Sequence, residues 1–209
     1  MKKYIDLSRV IENEMPVYPG DPKTAIYQQA NYQEDKYNAF LLTSGMHAGS
    51  HIDLPLHFFN NRDYVSEYPL DRFIGKAKVF DVRKVCQICY KKSYDELIFK
   101  DDIILFYTGF DQYYGSADYY KKHPVITQDL ADFLVSRQIK LIALDAPSPD
   151  YEPYPIHSTL LNNDIFIIEN LCNLDRLLPY PELEIIAFPL KIKAEASLLR
   201  VVGVVTTDE

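Results

Sequence analysis

The 209-residue chain has no Trp, three Cys and only seven Gly, and it lacks any surplus of positive charge. Its 22 Lys and Arg face 30 Asp and Glu, leaving a net charge of −8. That balance repels a phosphate backbone unless a local basic patch intervenes. After the first residues only Arg83-Lys84, Lys91-Lys92 and Lys121-Lys122 are paired, so no nucleic-acid partner is expected. No apolar run approaches the roughly eighteen residues of a bilayer span, and Met1-Lys2-Lys3-Tyr4-Ile5-Asp6-Leu7 has no signal-peptide core. The expectation is a cytoplasmic protein with no membrane partner. An odd number of cysteines, Cys86, Cys89 and Cys172, in a chain too large to need disulfides agrees with a reducing compartment.

Also missing are a GxSxG elbow, a Walker A loop and a GxGxxG phosphate loop, which removes the common serine-hydrolase and nucleotide-binding readings. Cys86-Gln87-Ile88-Cys89 is a CxxC pair without a second one, so incidental thiols weigh more than a redox motif. There is no repeat and no Gly/Ser-rich linker. At this length a single domain buries roughly 70% of its unfolded surface, and residues 1–209 are expected to form one.

What is present is mostly strand. Short β-rich runs between turn signals predict strands at Tyr4–Leu7, Thr24–Gln29, Phe40–Ser44, Lys76–Val82, Ile103–Tyr107, Lys140–Leu144, Ile165–Ile168, Ile185–Phe188 and Leu199–Val205. One clear helix begins at Thr127 as N-cap, with Leu130, Phe133 and Leu134 on one face. Weaker helices are expected over Ser93–Phe99 and around Ser158 and Asp175. The fold class is sheet-rich α/β.

The chemistry concentrates in HAGSHIDLPLH, residues 47–57, which holds three of the five histidines. Imidazole and carboxylate are ligands that zinc prefers and manganese tolerates. On a helix Asp53 would point away from His51, and Gly49 and Pro55 oppose a helix. On a straight strand His47 and His51 would stand about 13 Å apart, too far for one ion with bonds near 2 Å. The segment must therefore bend, and Gly45 and Gly49 are where it can. His51 and Asp53 stay side by side on an extended stretch. A lone histidine is usually a surface or hydrogen-bonded core group; three with an aspartate point to a metal site.

The string resembles the HxGTHxDxPxH signature of the cyclase family of metal-dependent hydrolases, which includes bacterial kynurenine formamidase and isatin hydrolase. Only Ser50 departs, where the signature has Thr. The likeness extends to PVYPGDP at 16–22, ILFYTGF at 104–110, LIALDAPSPD at 141–150, IHSTLL and DIFIIENL within 156–171, and PLKI at 189–192.

The resemblance implies a swivelling β/β/α fold, assembled as a homodimer or larger homo-oligomer. It implies that His47, His51 and Asp53 bind one ion, that Asp53 and Glu169 bridge to a second held by His157, and that His57 is the general acid and base. Zinc, two ions per chain, is the expected cofactor, with manganese as an alternative. Glu169 read alone is a common solvated end of a buried strand, but its strand-end position, the nearby His157 and the ENL match favour a site residue.

The implied reaction is hydrolysis of a carbon–nitrogen amide bond in a small molecule, with an arylformamidase acting in tryptophan catabolism on N-formylkynurenine as the specific form. Kynurenine formamidases generally carry Trp where this chain has Tyr18, so Tyr18 is either a substrate-stacking aromatic or an ordinary loop residue. The alternatives are a cyclic amide or lactone hydrolase, a cyclase, or a non-catalytic metal-binding protein of this fold. His123 receives no role and is expected in a surface turn.

Overall fold

A computed structural model describes residues 1–207. Its main sheet has nine strands. From one edge to the other they are Lys2–Asp6, Val202–Thr206, Leu183–Ile186, Ile74–Asp81, Ile103–Tyr107, Leu141–Leu144, Phe166–Glu169, His51–Asp53 and Ala196–Leu198. The four central strands, from Ile74–Asp81 to Phe166–Glu169, run parallel. Covered on both faces, the last three read as near-continuous apolar runs, as a doubly buried parallel sheet requires.

Alternation along those strands divides the interior. Ile103, Leu105, Leu141, Ala143, Phe166 and Ile168 join the core on one face with Ile5, Leu7, Ile52 and Ile185. Ile104, Phe106, Ile142, Leu144 and Ile167 point to the other face. There they meet Leu130, Ala131 and Leu134 of helix Gln128–Arg137 and Ile156, Leu160 and Leu161 of helix Pro155–Asn162. The chain is thus the sheet-rich α/β protein expected, in the swivelling β/β/α arrangement.

The predicted strand Leu199–Val205 begins only at Val202, as Val202–Thr206, and a separate strand that was not predicted, Ala196–Leu198, lies just before it. Only three residues connect them, a span of about 14 Å at full extension. In a flat sheet their places in the strand order would put them about 34 Å apart. The sheet therefore curls, and Leu7 N–H to Val201 O at 3.0 Å and Leu199 N–H to Ser50 O at 3.2 Å fasten the closing bridge.

Other expectations shift for local reasons. In place of a helix over Ser93–Phe99 there is a 3-10 turn, Lys92–Glu96, that overlaps its first half, and the Asp175 region forms a 3-10 turn, Leu174–Leu177. Thr127 does sit at the N-cap of its helix, but its hydroxyl donates to Ile88 O at 3.2 Å and leaves the cap unmade. His123 is no surface residue, being 3% exposed. Its Nε2 donates to Asp150 O at 3.2 Å and its ring packs 4.1 Å from that of Tyr151.

The strands Ala25–Ala30 and Ala39–Thr43 pair only with each other, forming a hairpin off the main body. Tyr27, Phe40, Leu41 and Leu42 are all exposed on it. No helix among the described residues is long and apolar enough to cross a membrane.

Candidate metal centre

The sheet register creates the cluster. On adjacent antiparallel strands Glu169 lies opposite His51, Ile168 opposite Ile52 and Ile167 opposite Asp53. His51, Asp53 and Glu169 therefore face the helix layer while Ile52 and Ile168 enter the opposite core. Glu169 also closes a parallel strand at its carboxyl end, where α/β sheets place their ligand sites. Helix Pro155–Asn162, packed over this face, contributes His157.

His47 comes back to the cluster through Gly49, whose φ is +60°. A Cβ there would meet Met15 Cε at 2.9 Å and Ile11 Cδ1 at 3.0 Å, so the position favours Gly for conformation and for space. Gly45 needs no such conformation; the bend uses one of the two glycines. Ser50 Oγ accepts from Arg9 N–H at 2.9 Å and donates to Asn170 O at 2.9 Å. A hydroxyl is what this position needs, and Ser supplies it as Thr would. Pro55 then opens a 3-10 turn, Pro55–His57, that swings His57 over the site.

The resulting distances are compact. Asp53 Oδ1 lies 2.9 Å from His47 Nδ1 and 3.6 Å from His51 Nε2. Glu169 lies 3.4 Å from His51 Nε2 through Oε2 and 3.3 Å from His157 Nε2 through Oε1. Asp53 Oδ2 is 3.8 Å from His157 Nε2. Two sets of donor atoms, from His47, Asp53 and His57 and from His51, Asp53 and Glu169, each fall within 4.8 Å of one another. His57 is thus also within ligand range of the first set.

These spacings fit divalent ions. Bonds of about 2.1 Å place neighbouring ligands of an ion about 3.0–3.4 Å apart, close to most of the separations here and longer than good hydrogen bonds. Three buried polar atoms at the centre, His51 Nε2, Asp53 Oδ1 and Glu169 Oε1, have no hydrogen-bond partner. Orphaned buried atoms cost about 1–3 kcal/mol each, more if charged, and a bound cation would satisfy all three.

The local electrostatics agree. Burial opposes a charge on His47, but Asp53 and then Glu169 and Glu195 raise its pKa to about 9. Burial also opposes charge on His51 and His157, and the surrounding carboxylates outweigh it in both. Asp53 is held well below the usual carboxylate range by His47, His51 and His157 against its burial. His57 behaves oppositely: desolvation lowers its pKa despite the pull of Asp53.

A cavity of about 650 Å³ opens onto the cluster and is lined by Tyr18, Phe58, Tyr120, Tyr154, Ser148 and Asn170 together with the His, Asp and Glu side chains. Tyr18 reaches it from the PVYPGDP loop, its hydroxyl 3.3 Å from that of Tyr154 and its ring edge-on to Tyr120 at 5.6 Å. Phe58 stacks on His157 at 5.2 Å. All seven residues singled out in the sequence, Tyr18, His47, His51, Asp53, His57, His157 and Glu169, line this one cavity.

Sequence reasoning passed over two carboxylates. Glu195 Oε1 lies 3.3 Å from His47 Nε2, and Asp150 Oδ1 lies 2.6 Å from His157 Nδ1. Asp150 stands seven residues before His157 at the end of LIALDAPSPD, a spacing with no regular period to flag it. That segment also carries Asp145, which accepts from Thr108 N–H at 2.8 Å, Thr108 Oγ1 at 2.6 Å and Gly109 N–H at 2.8 Å. It thereby ties the ends of two parallel strands together.

Fold, donor set and cavity together define a metal-site protein of the swivelling β/β/α class. The Cyclase family model matches residues 5–151. Kynurenine formamidase of Geobacillus thermodenitrificans (strain NG80-2) is 31% identical over 209 residues, covering 96% of each chain. That of Bacillus anthracis is 29% identical over 206 residues, again covering 96% of both. Among solved structures, isatin hydrolase A from Labrenzia aggregata bound to benzyl benzoate superposes with a TM-score of 0.88. It is 25% identical, and the alignment covers 99% of this chain and 94% of that one. The chain belongs to the Cyclase family.

Proposed function

We propose that the protein hydrolyses an N-formylated arylamine such as N-formylkynurenine, releasing formate and the free amine. The chain is a metal-dependent amide hydrolase of its family, and the full-length kynurenine formamidase relatives support the specific substrate. The observation that carries the metal-dependent reading is the set of orphaned buried atoms on His51, Asp53 and Glu169 at the floor of an aromatic-lined cavity.

His47, His51 and Asp53 would hold one ion, and Asp53, Glu169 and His157 a second. Zinc is our first choice, and manganese suits the same donors. Ions bound there supply an acidified water and a polarised carbonyl. Burial holds the His57 pKa below the ordinary histidine value, which favours the neutral ring, and no hydrogen bond engages its ring nitrogens among the described residues. It is free to take the attacking water's proton and deliver it to the departing amine as the C–N bond breaks. Tyr18, Phe58 and Tyr154 offer the faces and edges on which a flat ring packs.

Cyclic amide hydrolysis is the second reading, favoured by the likeness to isatin hydrolase A. A panel of aryl formamides, isatin and lactones, assayed with added zinc or manganese, separates the two. Turnover of formamides above the others is expected, and activity on lactones alone would overturn the formamidase assignment.

Residues 1–209 are read as one domain working as a cytoplasmic homodimer or larger homo-oligomer. The exposed Tyr27, Phe40, Leu41 and Leu42 support self-association, because an isolated hairpin with both faces apolar is poorly stable in water.

A further inference from the structure

We infer that Asp150 is a positioning residue of the second ion site: it fixes which nitrogen of His157 is available to a metal ion. The role rests on the metal-dependent reading above. It concerns a residue that never touches substrate.

Asp150 is 3% exposed, and both its oxygens are engaged by the element that carries His157. Oδ1 faces His157 Nδ1 at 2.6 Å. Oδ2 accepts from the backbone N–H of Ile156 at 2.6 Å and of His157 at 3.1 Å. Those two donors belong to the first turn of helix Pro155–Asn162, where N–H groups lack intrahelical partners. The N-cap residue, Tyr154, has left-handed backbone with φ +60° and makes no side-chain cap. Asp150 supplies the missing cap from four residues upstream, and one carboxylate locks both the helix start and the imidazole that follows it.

The chemical consequence concerns one proton. A neutral imidazole carries a single N–H. With Nδ1–H donated to Asp150, the lone pair sits on Nε2, the atom that lies 3.3 Å from Glu169 Oε1 and 3.8 Å from Asp53 Oδ2. Rotation of the ring is blocked from one side by Phe58, stacked at an interplanar angle of 11°. The other histidines of the cluster are held less firmly. His51 Nδ1 donates to the Gly49 carbonyl at 2.9 Å, and Glu195 reaches His47 at 3.3 Å from a half-exposed position. Among the described residues only His157 has a fully buried carboxylate on the ring nitrogen turned away from the cluster, so the site it serves is the one that depends on such support.

The test is metal binding by the full chain. Metal-free wild type and Asp150→Asn are titrated calorimetrically with zinc, with folding checked by circular dichroism. Wild type is expected to take up two ions. In Asp150→Asn one affinity should fall about 10–100-fold, the usual effect of removing such a partner, while the other stays unchanged. Equal weakening at both sites, or no change at either, overturns the role. Nitrogen-15 NMR of zinc-loaded wild type provides a measurement that needs no variant: a protonated Nδ1 and metal-bound Nε2 on His157 are expected, and the reverse tautomer sinks the inference. Failure of wild type to bind zinc or manganese at all would instead remove the metal-dependent reading.

Discussion

His51 and Glu169 stand directly opposite each other on adjacent antiparallel strands, their Nε2 and Oε2 atoms 3.4 Å apart. A slip of one residue in that pairing would turn one of them toward the apolar core. The pairing itself, with Ile52 and Ile168 buried behind it, holds the two side chains in the site.

His57→Ala should lower turnover by about 10²–10⁴-fold, the usual contribution of a proton-transfer group, and leave metal content intact. Asp53→Ala should lose metal and activity together, because its carboxylate faces both halves of the cluster. Metal analysis beside steady-state kinetics checks both. An Asp53→Ala protein with full metal and full activity would refute the bridging role.

Metal uptake should release protons. His47, raised to about 9, carries a proton at pH 7 in the metal-free protein, and His51 and His157 are shifted in the same direction. An ion must displace those protons, so affinity should rise as pH increases toward about 9. Calorimetry at pH 7 in buffers of different ionisation enthalpy should show buffer-dependent heats. Identical heats would contradict the electrostatics derived for the cluster.

His123 should make the fold acid-sensitive. Burial holds its pKa below the ordinary histidine value, and its Nδ1 has no partner. The unfolded chain therefore binds this proton at a higher pH than the folded one. Its contribution is fully present above about pH 6.5 and is lost as pH falls through the window below that. Urea midpoints for wild type should drop between pH 7 and pH 5 by more than those for His123→Gln. Parallel drops would show that His123 is not the group responsible.

Gly49→Ala should destabilise the fold by about 1–2 kcal/mol, the cost of left-handed backbone for a residue with a Cβ. It should also weaken zinc binding at the His47 site, because Met15 and Ile11 crowd the added carbon. Gly45→Ala, with its nearest neighbour at 3.5 Å and no positive φ, should change neither.

Replacing Phe40 and Leu42 together by Glu should shift the protein to monomer in sedimentation velocity, since both side chains are exposed on one face of the hairpin. A wild-type protein that is already monomeric removes the proposed assembly.

Much of this site was legible in one dimension. HAGSHIDLPLH carried its own argument, because donor type, spacing and a bend-permitting glycine lie within eleven residues. Strands such as Ile103–Tyr107 were recognisable from unbroken apolar composition. His157 and Glu169 entered only through resemblance, since a strand-end Glu has no local signal for what stands opposite. Asp150 and Glu195 had none either: their partners are set by a helix cap and a sheet edge. Burial of His123 depended on the course of the chain before Pro124 and on Tyr151, which composition does not encode.

The curl of the sheet also orders events in time. His51–Asp53 lies between Phe166–Glu169 and Ala196–Leu198, both of which leave the ribosome long after it. The first ligands are made early and wait, unpaired, through most of synthesis. Pairing over such sequence distances is slow, so the completed cluster arrives as a late event, sealed when the short bridge through Val201 brings the last strand home.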